Sequence, residues 1–163
     1  MNTKNLNHFN EKGDAHMVDI GAKKISNRTA TASGKIFLNK ETLELILTGK
    51  SKKGDVLSVA RIAAIQGCKQ TSSLIPLCHQ ISISHVSVDF SECYSPPTIK
   101  IVVTVESQGQ TGVEMEALVA VNIGLLTIYD MVKAVNKGIE FGEIGLDFKG
   151  GGQSGNWQRV KSR

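Results

Sequence analysis

The stretch that most limits what this chain can fold into runs from Glu116 to Asp130, with no charged side chain between those two residues. Its apolar residues recur on nearly every side of a helical turn, whereas an amphipathic surface helix has one apolar stripe and one charged face. One sheet cannot cover that much apolar surface. A second subunit burying the other side would cover it, so an oligomer is expected. The alternative, a helix enclosed wholly by its own domain, is hard to arrange in 163 residues. Thr111-Gly112-Val113-Glu114 has capping-box spacing and predicts the helix start. The helix is then expected from Gly112 to Asn136, roughly 37 Å long, with Gly138 as its stop.

A chain of this length fits one domain. With 40% hydrophobic and 21% charged residues it can bury a core, and with 5% aromatics that core must be mostly aliphatic. The net charge of +4 suits an anionic partner, a phosphorylated metabolite or a nucleic acid, without choosing between them. Cys68, Cys78 and Cys93 are an odd number with no C-x-x-C pair, which speaks against a disulfide framework or a zinc ribbon. His8, His16, His79 and His85 show no ligand spacing with them, so no metal site is read. Met1 to Met17 lacks the apolar run of a signal peptide. The least charged stretch, Ala117 to Tyr129, falls short of the ~20 apolar residues a membrane span needs. A soluble, cytoplasmic protein is expected.

Along the chain, residues 1–16 are polar and aperiodic and read as a loose N-terminal arm, with 158–163 as a flexible C-terminal tail. Arg28 to Leu38 reads as a strand bulged near Gly34. Asn39 can cap a short helix with Leu43, Ile46 and Leu47 on its apolar face, ended by Gly49. After the basic hinge Lys50 to Gly54, Asp55 is the expected cap of a helix from Val56 to Lys69. Val56, Val59, Ala60, Ile62 and Ala63 form its broad apolar face. Pro76 predicts an extended connection. Ile81 to Phe90 and Thr98 to Glu106 read as strands joined through Ser95-Pro96-Pro97, and Ile99, Ile101, Val103 and Val105 share one face. Ile139 to Phe148 is a further strand, followed by a glycine-rich loop from Lys149 to Gly155. The mixture predicts an α+β two-layer sandwich, an antiparallel sheet with helices packed on one face.

The polar residues of the long helix then stand out. Asp130 and Lys133 are neighbours on one face, whether as a plain ion pair or as part of a site. Glu114 and Glu116 crowd the first turns, where acids are favoured anyway. Glu116 and Asp130 lie roughly 40° apart around the axis but roughly 21 Å apart along it. They cannot form one acid–base pair within a chain. If both serve one site, two subunits must meet there.

Other signals are weaker. Gly49-Lys50-Ser51 mimics the tail of a phosphate-binding loop, but Glu44 occupies the position of its first glycine. Cys78 and His79, adjacent in an extended segment, would point to opposite sides and so cannot make a thiol–imidazole dyad. Cys78 is expected to be a buried free thiol. The run Gly150-Gly151-Gly152-Gln153-Ser154-Gly155 could bring backbone amides to an anion, or be only a mobile turn.

Taken in order, several blocks resemble one family. They are Met17-Val18-Asp19-Ile20, Lys52-Lys53-Gly54-Asp55, Leu74-Ile75-Pro76-Leu77-Cys78-His79, Thr111-Gly112-Val113-Glu114-Met115-Glu116-Ala117-Leu118 and Thr127-Ile128-Tyr129-Asp130-Met131-Val132-Lys133-Ala134-Val135. All resemble segments of the cyclic pyranopterin monophosphate synthases, the MoaC family of molybdenum-cofactor biosynthesis, and the likeness runs from about Leu6 to Asn156. It implies a single catalytic domain over 17–157 with a ferredoxin-like fold, assembled as a homohexamer of three dimers with the site at a subunit interface. It implies a lyase that converts 3′,8-cyclo-7,8-dihydroguanosine triphosphate to cyclic pyranopterin monophosphate and diphosphate. Carried over by motif, Asp130, Lys53 and Lys133 would be catalytic. Leu77, Cys78, His79, Met115 and Glu116 would line the substrate, and Lys149 would reach its phosphates. No cofactor is required by the sequence; magnesium accompanying the triphosphate stays open.

The chemistry suits these residue types. Rebuilding a guanine ring system as a pterin needs several proton transfers, and a lysine serves as base where burial or neighbouring cations lower its pKa. Two departures stand out: Gln80 where many members carry proline, and Gln153 where many carry lysine. Two other classes compete. An RNA-binding α+β module would need stacking aromatics on its strands, where the reading finds only Phe90, with Tyr94 in the turn after it. An inactive structural homologue would keep the interface helix and lose the charged residues, yet Lys53, Asp130 and Lys133 are all present.

Overall fold

The computed structural model describes residues 8–10, 12–51, 53–152 and 155–160. Parts of the N-terminal arm and the C-terminal tail, together with Lys52, Gln153 and Ser154, lie outside the described residues. The elements run β1 (Ser26–Phe37), α1 (Lys40–Leu47), α2 (Val56–Lys69), α3 (Thr71–Leu74), β2 (Ile83–Tyr94), β3 (Pro97–Gly109), α4 (Glu114–Val132), β4 (Glu140–Gly150) and β5 (Trp157–Gln158). The five strands form one sheet in the order β2-β3-β1-β4-β5, every neighbouring pair antiparallel. Because β1 and β2 both oppose β3, they run parallel to each other, and so do β3 and β4 on either side of β1. These are two interleaved β-α-β units, the ferredoxin-like α+β sandwich expected from the sequence.

Alternation along the strands builds the core. Ile99, Ile101, Val103 and Val105 on β3 are all buried, beside Ala30, Ala32 and Ile36 on β1. Against them pack Ala117, Ala120, Val121, Leu125, Ile128 and Val132 of α4. Gly34 stands where the helix comes closest: a Cβ there would lie 2.9 Å from both Val121 Cγ1 and Ile144 Cγ1. The β1–β4 register slips between Ser33 and Lys35, which is the bulge the sequence placed at Gly34.

Local signals set the caps of the first helices. Asn39 accepts from Thr42 N at 2.8 Å and Asp55 from Ser58 N at 3.0 Å. The face of α2 differs from the expected one. Val56, Ala60, Ala64, Gly67 and Cys68 are buried, Ala63 is half-buried, and Val59 and Ile62 are 41% and 68% exposed. Small residues on this face let α2 lie close to α4, and its larger aliphatics turn outward. Pro76 sits in a turn that follows α3, with Cys78 N bonded to Ile75 O, and not in an extended link.

The long helix is shorter than its pattern predicts. It spans 19 residues, its N-cap is Val113 with no side-chain cap bond, and Lys133 closes it. Glu114 is diverted from the capping box by Lys149, whose Nζ lies 3.1 Å from its Oε1. By length and composition α4 could cross a membrane, more than its least charged stretch suggested, and half of it is buried within the molecule. Its outer side keeps Leu126 at 51% exposure. At the other end of the chain, Lys149 and Gly150 belong to β4 and not to a loop, and β5 pairs with β4 beyond them.

More aromatics lie on strands than the sequence reading counted: Phe37, Tyr94, Phe141, Phe148 and Trp157 join Phe90. Phe90 stacks under the Arg61 guanidinium of α2, 5.3 Å from the ring centroid, so it serves the helix layer.

Candidate active site

The residues singled out in the sequence gather at the two ends of α4. At its C-terminal end the turn after Ser51, with Gly54 N bonded to Ser51 O at 3.0 Å, delivers Lys53 to the helix terminus. Lys53 Nζ donates to the Asp130 carbonyl at 2.8 Å and lies 4.0 Å from its Oδ2, while Lys133 Nζ lies 2.7 Å from Oδ1. Two cations at a helix C-terminus complement the unpaired carbonyls there. The Lys133 hydrogen bond, then the Lys133 and Lys53 charges, hold the Asp130 carboxyl below its usual range. The same hydrogen bond holds Lys133 above its ordinary value. Within one chain, therefore, Lys133 is a firm ammonium, contrary to the lowered lysine expected from clustered cations. The Asp130 carboxylate outweighs the desolvation that would lower it.

At the N-terminal end, Leu77, Cys78, His79, Met115 and Glu116 line one cavity of about 220 Å³ with Ile81 and Glu114. Glu116 is only 3% exposed. Burial, reinforced by the Glu114 charge, raises its pKa against the opposing hydrogen bond from its own backbone. It is thus no solvated helix-end acid. The Cys78 thiol is pushed up by burial and by Glu116, which makes it a poor nucleophile. Cys78 and His79 both line this cavity, just past the turn closed by Cys78 N on Ile75 O. Cys68 is buried beneath, its thiol pushed up to about 12 by burial and the Glu116 charge.

A larger cavity of about 480 Å³ adjoins the first, Thr111, Gly112 and Glu114 lining both. Lys149 enters it from β4, and Lys23, Lys24 and Arg28 complete a basic lining that sequence reasoning missed. Arg28 is fixed by Nε to Gly109 O at 3.2 Å and Nη2 to Gln110 O at 3.1 Å. No local spacing signals this, since the β1–β3 register brings the groups together. Among the described residues no cluster of histidine, cysteine and carboxylate is arranged to hold a metal ion.

The structure thus groups Lys53, Asp130 and Lys133 at one place, and Leu77, Cys78, His79, Met115 and Glu116 at another, with Lys149 beside the second. It does not join the two groups within the chain: Glu116 and Asp130 stand roughly 21 Å apart along α4. Two lysines around one carboxylate lie at one end, and a cavity with a basic neighbour lies at the other.

Comparison with known proteins places this arrangement. The MoaC family model matches residues 17–152, a span that includes every one of these site residues. Two proteins named cyclic pyranopterin monophosphate synthase, from Chloroflexus aurantiacus strains J-10-fl and Y-400-fl, are each 52% identical to this chain over 156 residues, 96% of the chain and 96% of the relative. With the family matched over most of its length, the ferredoxin-like frame and both ends of α4 included, the chain belongs to the MoaC family.

Proposed function

We propose that the chain is a cyclic pyranopterin monophosphate synthase of molybdenum-cofactor biosynthesis. It converts 3′,8-cyclo-7,8-dihydroguanosine triphosphate to cyclic pyranopterin monophosphate with release of diphosphate. The observation that carries this reading is the convergence of Lys53 on Asp130 and Lys133, from a hinge 77 residues distant, at the end of a helix with no charge between Glu116 and Asp130.

The substrate's base fits the slot of Leu77, Cys78, His79 and Met115, while its phosphates lie toward Lys149 and the basic cavity. Glu116, kept neutral by burial more readily than an exposed acid, can hydrogen-bond the heterocycle as a donor. Ring opening and closure pass protons among Lys53, Lys133 and Asp130. Lys133 enters as an ammonium and gives a proton first; Asp130 orients both amines and takes part as a base. Departing diphosphate gathers negative charge, which lysine ammoniums in a water-poor pocket stabilise.

Both ends of α4 are needed, and one chain holds them too far apart, so the working site joins the Lys53 end of one subunit to the Glu116 end of another. The exposed apolar residues Val59, Ile62 and Leu126 on the helix layer support burial by a further copy. The assembly is a homohexamer of three dimers, acting in the cytoplasm.

The test is turnover of the cyclised dihydro-GTP by purified protein, with diphosphate release and the fluorescent oxidised pterin followed together. Both products form, and Lys53→Ala or Asp130→Ala lowers kcat by roughly 10²–10⁴-fold without dissociating the oligomer. A well-folded oligomer that releases neither product would leave only the fold to the resemblance. Near-normal turnover by either variant would remove its residue from the mechanism.

A further inference from the structure

The span matched by the family model ends at Gly152, in the lining of the basic cavity. Gly150, Gly151 and Gly152 line that cavity. The chain returns as β5, where Trp157 pairs with Lys149 and Gln158 with Phe148. Two residues of strand cannot hold themselves on an edge, because so few ladder bonds leave a short pairing marginal. Arg159 supplies the missing hold. Its backbone N bonds to Asp147 O at 2.8 Å, its Nε to Leu146 O at 2.8 Å, and its Nη1 lies 3.6 Å from Asp147 Oδ1. The guanidinium lies across Gly145, at the place a Cβ would occupy. The other foot of the arch is equally close-fitted. Gly151, at φ 88°, rests on the Asn27 carbonyl, and Gly152, at φ 76°, rests on the Arg28 guanidinium.

We propose that Arg159 is a positioning residue for the phosphate-holding cavity: its clamp on Leu146 and Asp147 docks β5 on β4 and so fixes Lys149 and the Gly150–Gly152 arch for the substrate's phosphates. This rests on the assignment of that cavity to the triphosphate. Arg159 itself does not line the cavity, so it acts through the strand it holds.

Three variants release the clamp by different means. Arg159→Ala removes a cation, Asp147→Asn removes an anion, and Gly145→Ala displaces the guanidinium with no change in charge. Trp157, the only tryptophan of the chain, reports docking through its emission. In all three variants the emission moves to the red and KM for the cyclised substrate rises roughly tenfold, the scale of a lost charge-assisted contact. Meanwhile kcat stays within about threefold, as a loss of binding alone requires. Arg159→Lys, which can keep the ion pair, recovers part of the loss.

A lower KM in Asp147→Asn would mean that Arg159 acts as a free cation, and would overturn the proposal. So would an unchanged KM in Gly145→Ala with Trp157 undocked. Equilibrium titration with GTP repeats the comparison without turnover. Protein that binds GTP and makes no pterin would contradict the enzymatic reading, while the variants' GTP affinities would still decide the role of Arg159.

Discussion

Asp130 holds two lysines from different parts of the chain, and the pKa directions follow from that contact. Its carboxyl is lowered and Lys133 raised, each chiefly by their shared hydrogen bond. Glu116 moves the other way, because burial disfavours its charged form. The sign of its effect on stability follows. A carboxyl whose folded pKa lies above its ordinary 4.5 contributes stability below that value and loses it as pH rises through the folded pKa. Above that value Glu116 therefore costs the folded chain stability, whether it ionises or keeps its proton. Glu116→Gln should melt at a higher temperature than the wild type at pH 7, and the gap should close toward pH 4, as thermal melts across that range will show. A lower melting temperature at pH 7 would mean that the carboxylate is satisfied in the fold. The pairing of Asp130 with Lys133 could be read from their spacing alone. Burial of Glu116 could not, since an acid in a first helical turn is usually solvated, and the Leu77–His79 segment that shares its cavity is distant in sequence.

The elements were most legible where their signals are local. Asn39 and Asp55 cap the helices they were expected to cap, and β3 buries the apolar face its alternation predicts. Misreadings arise where a distant partner competes. Thr111 loses its capping box because Glu114 turns to Lys149 on β4. β5 escaped notice because nothing in a Trp-Gln pair announces a strand that exists only through pairing with β4. The face of α2 was misassigned because apolar residues outnumber the buried positions, so composition alone cannot say which side faces α4. The contact between α4 and the sheet is the test at this scale. Leu125 is 1% exposed and lies against the close approach at Gly34. Leu125→Ala should cost about 2–5 kcal/mol of unfolding free energy, measured in denaturant, by removing a packed side chain that the helix cannot settle to replace. A loss near zero would mean that α4 is not held by this contact.

At the scale of the whole molecule, one helix sets both fold and site. Its length keeps the Lys53–Asp130–Lys133 cluster and the Glu116 cavity apart, and under the proposed assembly its outer side, with Leu126 51% exposed, meets another copy of the chain. The order of the site's parts along the sequence therefore carries information about assembly that no single pocket does. The most direct test mixes two inactive proteins, Lys53→Ala and Glu116→Ala, each damaged at a different end of α4. After dissociation and random reassembly, half of the paired subunits carry one chain of each kind, and one of the two sites in each such pair is intact. Activity should return to about a quarter of the wild-type level, while either variant reassembled alone stays inactive. A mixture as inactive as its parts would contradict a site shared between subunits, and would require both ends of the helix to act within a single chain.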